Sequence, residues 1–199
     1  PDAVFSRRLT VNEYIATVQA TLGVDVSTEA RTILPPDVRA DGFQNTAYNL
    51  HVDLKHVDAY AELAEVAVNK MEVATFVSKF ADDQELDEKS ARRLVNRMGA
   101  WILRGPLDDQ EATAYASIVP AVVSSGGDYD ETVRYIVAAM IQSPRFLYRI
   151  ENQRGDGTLW PANDYERASR LSYALWGSSP DSALMAAARK GELYDHAQL

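Results

Sequence analysis

The sequence contains no cysteine. This absence excludes disulfide bonds, thiolate metal ligands, a thiol nucleophile and the covalent attachment of a c-type haem within these residues. Glycine and proline are also scarce, at 10 and 8 of 199 residues, which excludes a collagen-like or low-complexity chain. Histidine occurs only as His51, His56 and His196, and no two of them have the spacing of a zinc-binding pair. We therefore predict no metal ligand.

Basic residues are outnumbered by acidic ones. Lysine and arginine total 20 against 29 aspartate and glutamate residues, which gives a formal net charge of −9. Nucleic-acid backbones and anionic membrane surfaces bind clustered Lys and Arg, and the sequence has no such cluster, so neither is expected as a partner. It also has no apolar run of membrane-spanning length, so no membrane span is predicted. The 46% of hydrophobic residues predicts a packed globular core.

Apolar residues recur at helical spacing, and no convincing alternating pattern predicts a strand. Thr10 with Glu13, and Asp128 with Glu131, have the spacing of capping boxes, and Gly23 has the position of a helix end. The sequence predicts an all-α fold in which short antiparallel helix pairs pack as one or two helical bundles. One short turn of helix is also predicted over residues 27–33, and residues 53–80 are predicted to form either one long helix or two with a kink near Lys70. Further helices are predicted over residues 87–103, 108–123, 163–176 and 181–190, and residues 145–150 are predicted to continue helically after Ser143 and Pro144.

Composition divides the chain into three predicted domains. Residues 1–81 form an N-terminal helical domain with a long ordered loop at 24–52, residues 82–157 form a helical bundle, and residues 158–199 form the start of a third helical domain. The polar stretch Gly155–Gly157 marks the last boundary. The sequence begins without Met and stops one turn after a helix start at Asp195, so we expect a fragment of a longer protein.

The long loop contains the candidate ligand or interaction residues Gly42, Phe43, Gln44 and Asn45. Amide side chains that follow a Gly-aromatic pair either hold such a loop together or offer hydrogen bonds to a ligand, and we favour the first. No catalytic residue is predicted. Ser124–Gly127 lacks the strand–turn–helix context of a nucleophile elbow, and the paired carboxylates of the chain fit helix starts, where the helix dipole favours negative charge.

A second group of residues is predicted to join the domains. We expect Arg149 and Arg170, like Arg7 and Arg8, to bridge helices by bidentate pairing with carboxylates such as Glu13, Glu151 or Glu166. Trp176 is expected to pack between the second and third domains, because its helical spacing favours a core position. The residues after Pro144 would then contact the face at 171–175.

Several motifs together resemble the Planctomycete cytochrome-associated domains of unknown function, three of them in succession with the last truncated. The motifs are Arg7–Tyr14 with Gly42–Asn45, then Arg92–Tyr115, then Ser143–Glu151 with Ala168–Asp181. The resemblance implies an exported bacterial protein, periplasmic or at the cell surface, whose helices accompany an electron-transfer module. It transfers no established reaction and no catalytic residue.

Two functions from different classes follow. The first is a non-catalytic helical scaffold or interaction region of an exported cytochrome-associated protein or complex. Its partners would be other protein domains or subunits, a c-type cytochrome among them, with no cofactor in this segment. The alternative is part of a haem-dependent periplasmic oxidoreductase whose haem c lies on a missing or partner segment, with the Gly42–Asn49 loop near the haem. Whether the protein is an enzyme stays open at this point.

Overall fold

The computed structural model describes residues 6–37, 50, 52–81, 85–150 and 162–194. Within these ranges the fold is all-α apart from one small antiparallel sheet, which confirms the predicted fold class. The strands are β1 (Ser6–Arg8) and β2 (Tyr148–Ile150). The helices are α1 (Val11–Leu22), α2 (Ser27–Ile33), α3 (Leu54–Lys70), α4 (Val73–Val77), α5 (Glu88–Ile102), α6 (Asp109–Ala116), α7 (Ile118–Ser124), α8 (Tyr129–Ile141), α9 (Pro144–Leu147), α10 (Asp164–Leu175) and α11 (Ser182–Lys190), followed by a 3₁₀ turn at Glu192–Tyr194.

The helix starts follow the capping residues of the sequence. At the start of α1 the Thr10 hydroxyl accepts the Glu13 N–H, and the Glu13 carboxylate accepts the Thr10 N–H in return. The predicted capping box at Asp128 is also confirmed at the start of α8. Gly23 ends α1 in the left-handed conformation, at φ 76°, as predicted. These local side-chain contacts satisfy backbone donors that the first helical turn leaves unpaired.

Two predicted helices are divided in the structure. The prediction over 53–80 corresponds to α3 and α4, which are separated at Met71 and Glu72, close to the expected kink. The prediction over 108–123 corresponds to α6 and α7, separated at Ser117. Pro120 explains the second division, because its ring lacks an N–H and would clash with the carbonyl of residue 116 in a continuous helix.

The prediction of a helix through Ile150 was wrong. Helix α9 is a single turn that ends at Leu147, and β2 follows it directly. Strand β2 pairs with β1 so that Arg149 lies opposite Arg7, and the Leu9 N–H donates to the Leu147 carbonyl at 2.8 Å. The sheet joins the beginning of the chain to the end of the 85–150 range.

One continuous apolar core extends through residues 6–37, 52–81 and 85–150. Helix α8 lies within it and packs on α3, α4 and α5, with its side chains at Val133, Ile136 and Met140 buried. The Tyr14 ring of α1 meets the Phe146 ring of α9 edge to face, with centroids 6.1 Å apart. From residues 162–194 only Tyr173 enters this core. None of the helices in the described ranges has both the length and the apolarity to cross a lipid bilayer.

Candidate functional site

The predicted interaction residues Gly42, Phe43, Gln44 and Asn45 lie outside the part of the chain that the structure describes. The nearest described residues on either side, Asp37 and Leu50, are held against the body of the protein. The Asp37 carboxylate accepts hydrogen bonds from the Arg8 guanidinium at 2.9 Å and from the Val11 N–H at 2.6 Å. Leu50 is buried.

The Arg8–Asp37 ion pair is buried, with side-chain exposures of 2% and 6%. Arg8 also donates to the Tyr60 hydroxyl at 3.1 Å, and Tyr60 packs against Tyr14 with ring centroids 5.3 Å apart. Burial raises the pKa of Tyr60, although the Arg8 charge opposes this effect, and burial also raises the pKa of Tyr14. Both phenols therefore stay neutral near pH 7, and Asp37 is the counter-ion that Arg8 requires in a buried site.

The candidate site itself is a cleft of about 480 Å³ between the end of α5, strand β2 and the start of α10. Arginines outnumber carboxylates in its lining, whereas the chain as a whole is acidic. The charged lining residues are Arg104, Arg145, Arg149, Arg170, Asp108, Glu111 and Glu166. Two of the arginines, Arg149 and Arg170, are those that the sequence singled out.

Arg104 is the central residue of this cleft. It follows the end of α5 and is the one non-glycine residue with a positive φ, 59°, in the described ranges. The Gly105 N–H donates to the Ala100 carbonyl at 3.0 Å, which is the long hydrogen bond of a Schellman motif with Arg104 at the left-handed position. A non-glycine residue in the left-handed backbone conformation costs roughly 1–3 kcal/mol of stability, and this conformation persists only where other contacts fix it.

Those contacts surround the Arg104 guanidinium, which is buried. It donates to the Phe146 carbonyl at 3.2 Å, to the Tyr148 carbonyl at 2.9 Å and to the Arg145 carbonyl. It also donates to the Tyr173 hydroxyl of α10 at 3.2 Å and lies 5.6 Å from the centre of that ring. Arg104 thereby closes the turn between α9 and β2 and fixes α10 against it.

Arg145 fixes the neighbouring wall of the cleft. Its guanidinium pairs with the Glu111 carboxylate of α6 at 2.5 Å. It also donates to the carbonyls of Gly105 at 3.3 Å and Pro106 at 3.2 Å, in the turn that connects α5 to α6. These partners belong to the protein itself, so the Arg145 side chain holds that turn in place.

The structure places the three predicted inter-domain residues as follows. The Arg149 guanidinium lies 5.4 Å from the centre of the Tyr173 ring, and Arg170 lines the same cleft from α10. Trp176 is 48% exposed, and its indole N–H donates to the Ser179 carbonyl at 3.4 Å. The core position expected for Trp176 was therefore wrong, because the last residues of α10 face solvent. The role of these three residues in joining the domains stays a prediction. The Arg7 guanidinium donates to both oxygens of the Glu13 carboxylate, at 2.8 and 2.6 Å, which is the bidentate geometry expected of these arginines, although Arg7 lies on β1 and not on a helix.

Sequence reasoning missed the contacts between α1 and the region after residue 162. The Thr17 hydroxyl lies 2.8 Å from the Tyr173 hydroxyl in the interior, and the Ser178 hydroxyl donates to the Ala16 carbonyl at 3.0 Å. No local pattern signals such pairs, because their partners are separated by more than 150 positions.

Within the described ranges, no group of three His, Asp or Glu side chains is close enough to hold a metal ion.

Fold and cleft together define an all-α protein in which distant parts of the chain meet around a buried arginine. Comparison of the sequence with protein families divides the same chain into three consecutive domains. Residues 7–73 match the family described as Protein of unknown function (DUF1587), residues 90–151 match Protein of unknown function (DUF1595), and residues 162–199 match Protein of unknown function (DUF1592). We refer to these ranges as the first, second and third segments.

Neither a curated protein nor a solved structure matches the chain. The family boundaries give the cleft a clear place in the molecule, between the second segment and the third. Arg104 and Arg145 belong to the second segment, Arg170 and Tyr173 belong to the third, and Thr17, which contacts Tyr173, belongs to the first.

Proposed function

We propose that this chain is a non-catalytic helical scaffold, the interaction region of an exported bacterial protein or complex that associates with c-type cytochromes. The observation that supports a scaffold is the buried chain of hydrogen bonds through all three segments. Arg104 of the second segment donates to Tyr173 of the third, and the Tyr173 hydroxyl contacts the Thr17 hydroxyl of the first. A scaffold needs this kind of fixed relation between its parts.

The use of the cleft arginines also supports a structural role. Stabilisation of a reaction requires donors that are directed at the position where charge develops. The Arg104 guanidinium instead donates to three backbone carbonyls and to a tyrosine hydroxyl. The Arg145 guanidinium donates to two backbone carbonyls and pairs with Glu111. The hydrogen bonds of both side chains therefore stabilise the walls of the cleft.

The partner class in this proposal comes from the resemblance and from charge. The resemblance implies an electron-transfer module of the c type beside these helices, in the periplasm or at the cell surface. The chain has a net charge of −9, and a basic partner is favoured because complementary charge speeds encounter and disfavours wrong partners. Since the sequence has no cysteine, a covalently attached haem would belong to the partner or to another segment.

The proposal is tested by titrating the purified chain with a purified basic c-type cytochrome in isothermal calorimetry, with an acidic c-type cytochrome as the matched control. We expect saturable binding of the basic protein only, with the haem absorption spectrum unchanged in the complex. Failure of both cytochromes to bind would contradict the proposal. Binding that shifts the Soret band or accelerates haem reduction would favour the alternative, a haem-dependent oxidoreductase.

A further inference from the structure

The outward face of α3 carries exposed apolar side chains at its N-terminal end. Leu54 is 74% exposed and Val57 is 53% exposed, and Ala61 one turn further along is exposed as well. Large apolar side chains in such positions lose the stabilisation that burial would give, about 1.5–3 kcal/mol for each one. A contiguous exposed apolar group on a helix is typical of an interaction surface.

A row of carboxylates runs beside these apolar residues. Asp58, Glu62 and Glu65 follow one another at spacings of four and three residues, and all three are exposed. None of them forms an ion pair with a residue in the described ranges, whereas Lys70 at the end of α3 pairs with Glu29 at 2.6 Å. Like charges at these spacings destabilise a helix by roughly 0.2–0.5 kcal/mol for each pair. The row therefore works against the stability of α3.

The two groups share one face because of helical geometry. Residues 54, 57, 58, 61, 62 and 65 lie within less than half of the helix circumference. The opposite face carries the buried residues of α3, among them Leu63 and Ala67, and packs against α8. The outward face, which we call the α3 face and define as Leu54, Val57, Asp58, Ala61, Glu62 and Glu65, is thus free of the core.

We propose that the α3 face docks a basic protein surface that has an apolar centre. This inference rests on the proposed function and names the place where the partner binds. Charge complementarity selects the occupant, because the carboxylate row attracts Lys and Arg and repels an acidic protein. A second copy of this chain would bring two carboxylate rows together, which is unfavourable. Leu54 and Val57 supply the apolar contact that becomes buried on binding.

The test removes the three charges of the row in the variant D58N/E62Q/E65Q. The matched control E72Q/E88Q/D130N makes the same change in net charge at three exposed carboxylates outside α3. The probe is the purified basic c-type cytochrome, and its affinity is measured at several salt concentrations. We expect the dissociation constant of the α3 variant to rise roughly tenfold with a weaker salt dependence, and that of the control to change less than about twofold.

A second variant, L54S/V57S, keeps the charges and removes the apolar contact. It should weaken binding several-fold and leave the salt dependence as in the unmodified chain. Equal affinities for the α3 variant and its control would overturn the inference and leave the proposed function in place. Absence of binding to the unmodified chain would overturn both. Loss of binding in the α3 variant, together with a shifted Soret band in the unmodified complex, would support the docking face and contradict the scaffold.

Discussion

The junction between the first and second segments differs in kind from the junction that holds the third. Helices α3 and α8 belong to the first and second segments and bury apolar side chains in one shared core. The third segment contributes Tyr173 to that core, where its hydroxyl contacts Arg104 and Thr17, and the Ser178 hydroxyl donates to the Ala16 carbonyl of the first segment. Apolar burial joins the first pair, and directed polar contacts hold the third segment in place.

The difference has a physical consequence. Apolar burial is non-directional and tolerates small displacements, because its free energy follows the area removed from water. Hydrogen bonds from a buried guanidinium depend on distance and angle, and their acceptors become costly when the donor is lost. The first junction should therefore determine how stable the protein is, and the second should determine how the third segment is oriented.

The largest expected effect on stability is at the apolar junction between the first and second segments. Phe146→Ala removes a ring that is fully buried against Tyr14, so we expect the free energy of unfolding to fall by about 3–5 kcal/mol. Urea denaturation followed by circular dichroism measures this change. Leu175→Ala is the control, since Leu175 is 73% exposed and its truncation should cost less than about 0.5 kcal/mol. Equal effects of the two substitutions would contradict the comparison.

The second-largest expected effect on stability is at the polar junction that holds the third segment. Arg104→Ala removes the donor shared by Phe146, Tyr148 and Tyr173, and we expect a loss of about 2–3 kcal/mol because these hydrogen bonds involve a charged group. Hydrogen exchange should accelerate in α10 more than in α8, since α8 lies in the shared core. Uniform acceleration of both helices would show that Arg104 supports the whole core, contrary to the comparison.

A smaller effect is expected where the third segment meets the first. Thr17→Val and Tyr173→Phe each remove one hydroxyl of the pair that lies 2.8 Å apart. Thr17→Val should lower the free energy of unfolding by about 1 kcal/mol, and Tyr173→Phe by about 2 kcal/mol because it also removes an acceptor of the Arg104 guanidinium. A double-mutant cycle should give a coupling energy of about 1 kcal/mol, as expected of residues in direct contact. Additive effects would mean that the two hydroxyls do not interact in solution.

The smallest effect is a pH dependence at β1, the strand that joins the first segment to the second. Burial alone would raise the pKa of Glu13, but the hydrogen bonds from Arg7 and from the Thr10 N–H outweigh it and lower that pKa. The folded pKa is thus below the unfolded value of about 4.3, so the stabilisation is present above that value and is lost as the pH falls through the folded pKa.

Glu13→Gln tests this dependence, because glutamine keeps the capping geometry and removes the charge. At pH 7 we expect it to lower the free energy of unfolding by roughly 0.5 kcal/mol, within the range for ion pairs near the surface. Denaturation curves at decreasing pH should show the difference shrink below about pH 4. A difference that stays constant down to pH 2 would exclude Glu13 as its source.

Local rules predicted most of the helices and little of the site. The starts of α1 and α8 could be predicted because a capping box lies within four residues. The strands could not, since three residues are too few to show alternation. Pro120 indicates that the helix predicted over 108–123 is divided, but the helical spacing of the apolar residues favoured one continuous helix.

Arg104 shows why the site was missed. The sequence Arg104–Pro106 predicts the end of a helix, and α5 does end there. The acceptors of the Arg104 guanidinium, however, lie 41 to 69 positions further along the chain, and only the packed structure brings them together. Arg149 and Arg170 drew attention through the resemblance, and the structure places both at the same cleft.

The central claim, that Arg104 fixes the orientation of the third segment relative to the first two, is tested most directly by a distance measurement. The chain has no cysteine, so spin labels can be attached at Asn69→Cys on α3 and Ala183→Cys on α11, two exposed positions in the first and third segments. Double electron–electron resonance should give one narrow distance distribution, and adding Arg104→Ala should broaden it. A broad distribution before that substitution, or a narrow one after it, would contradict the account.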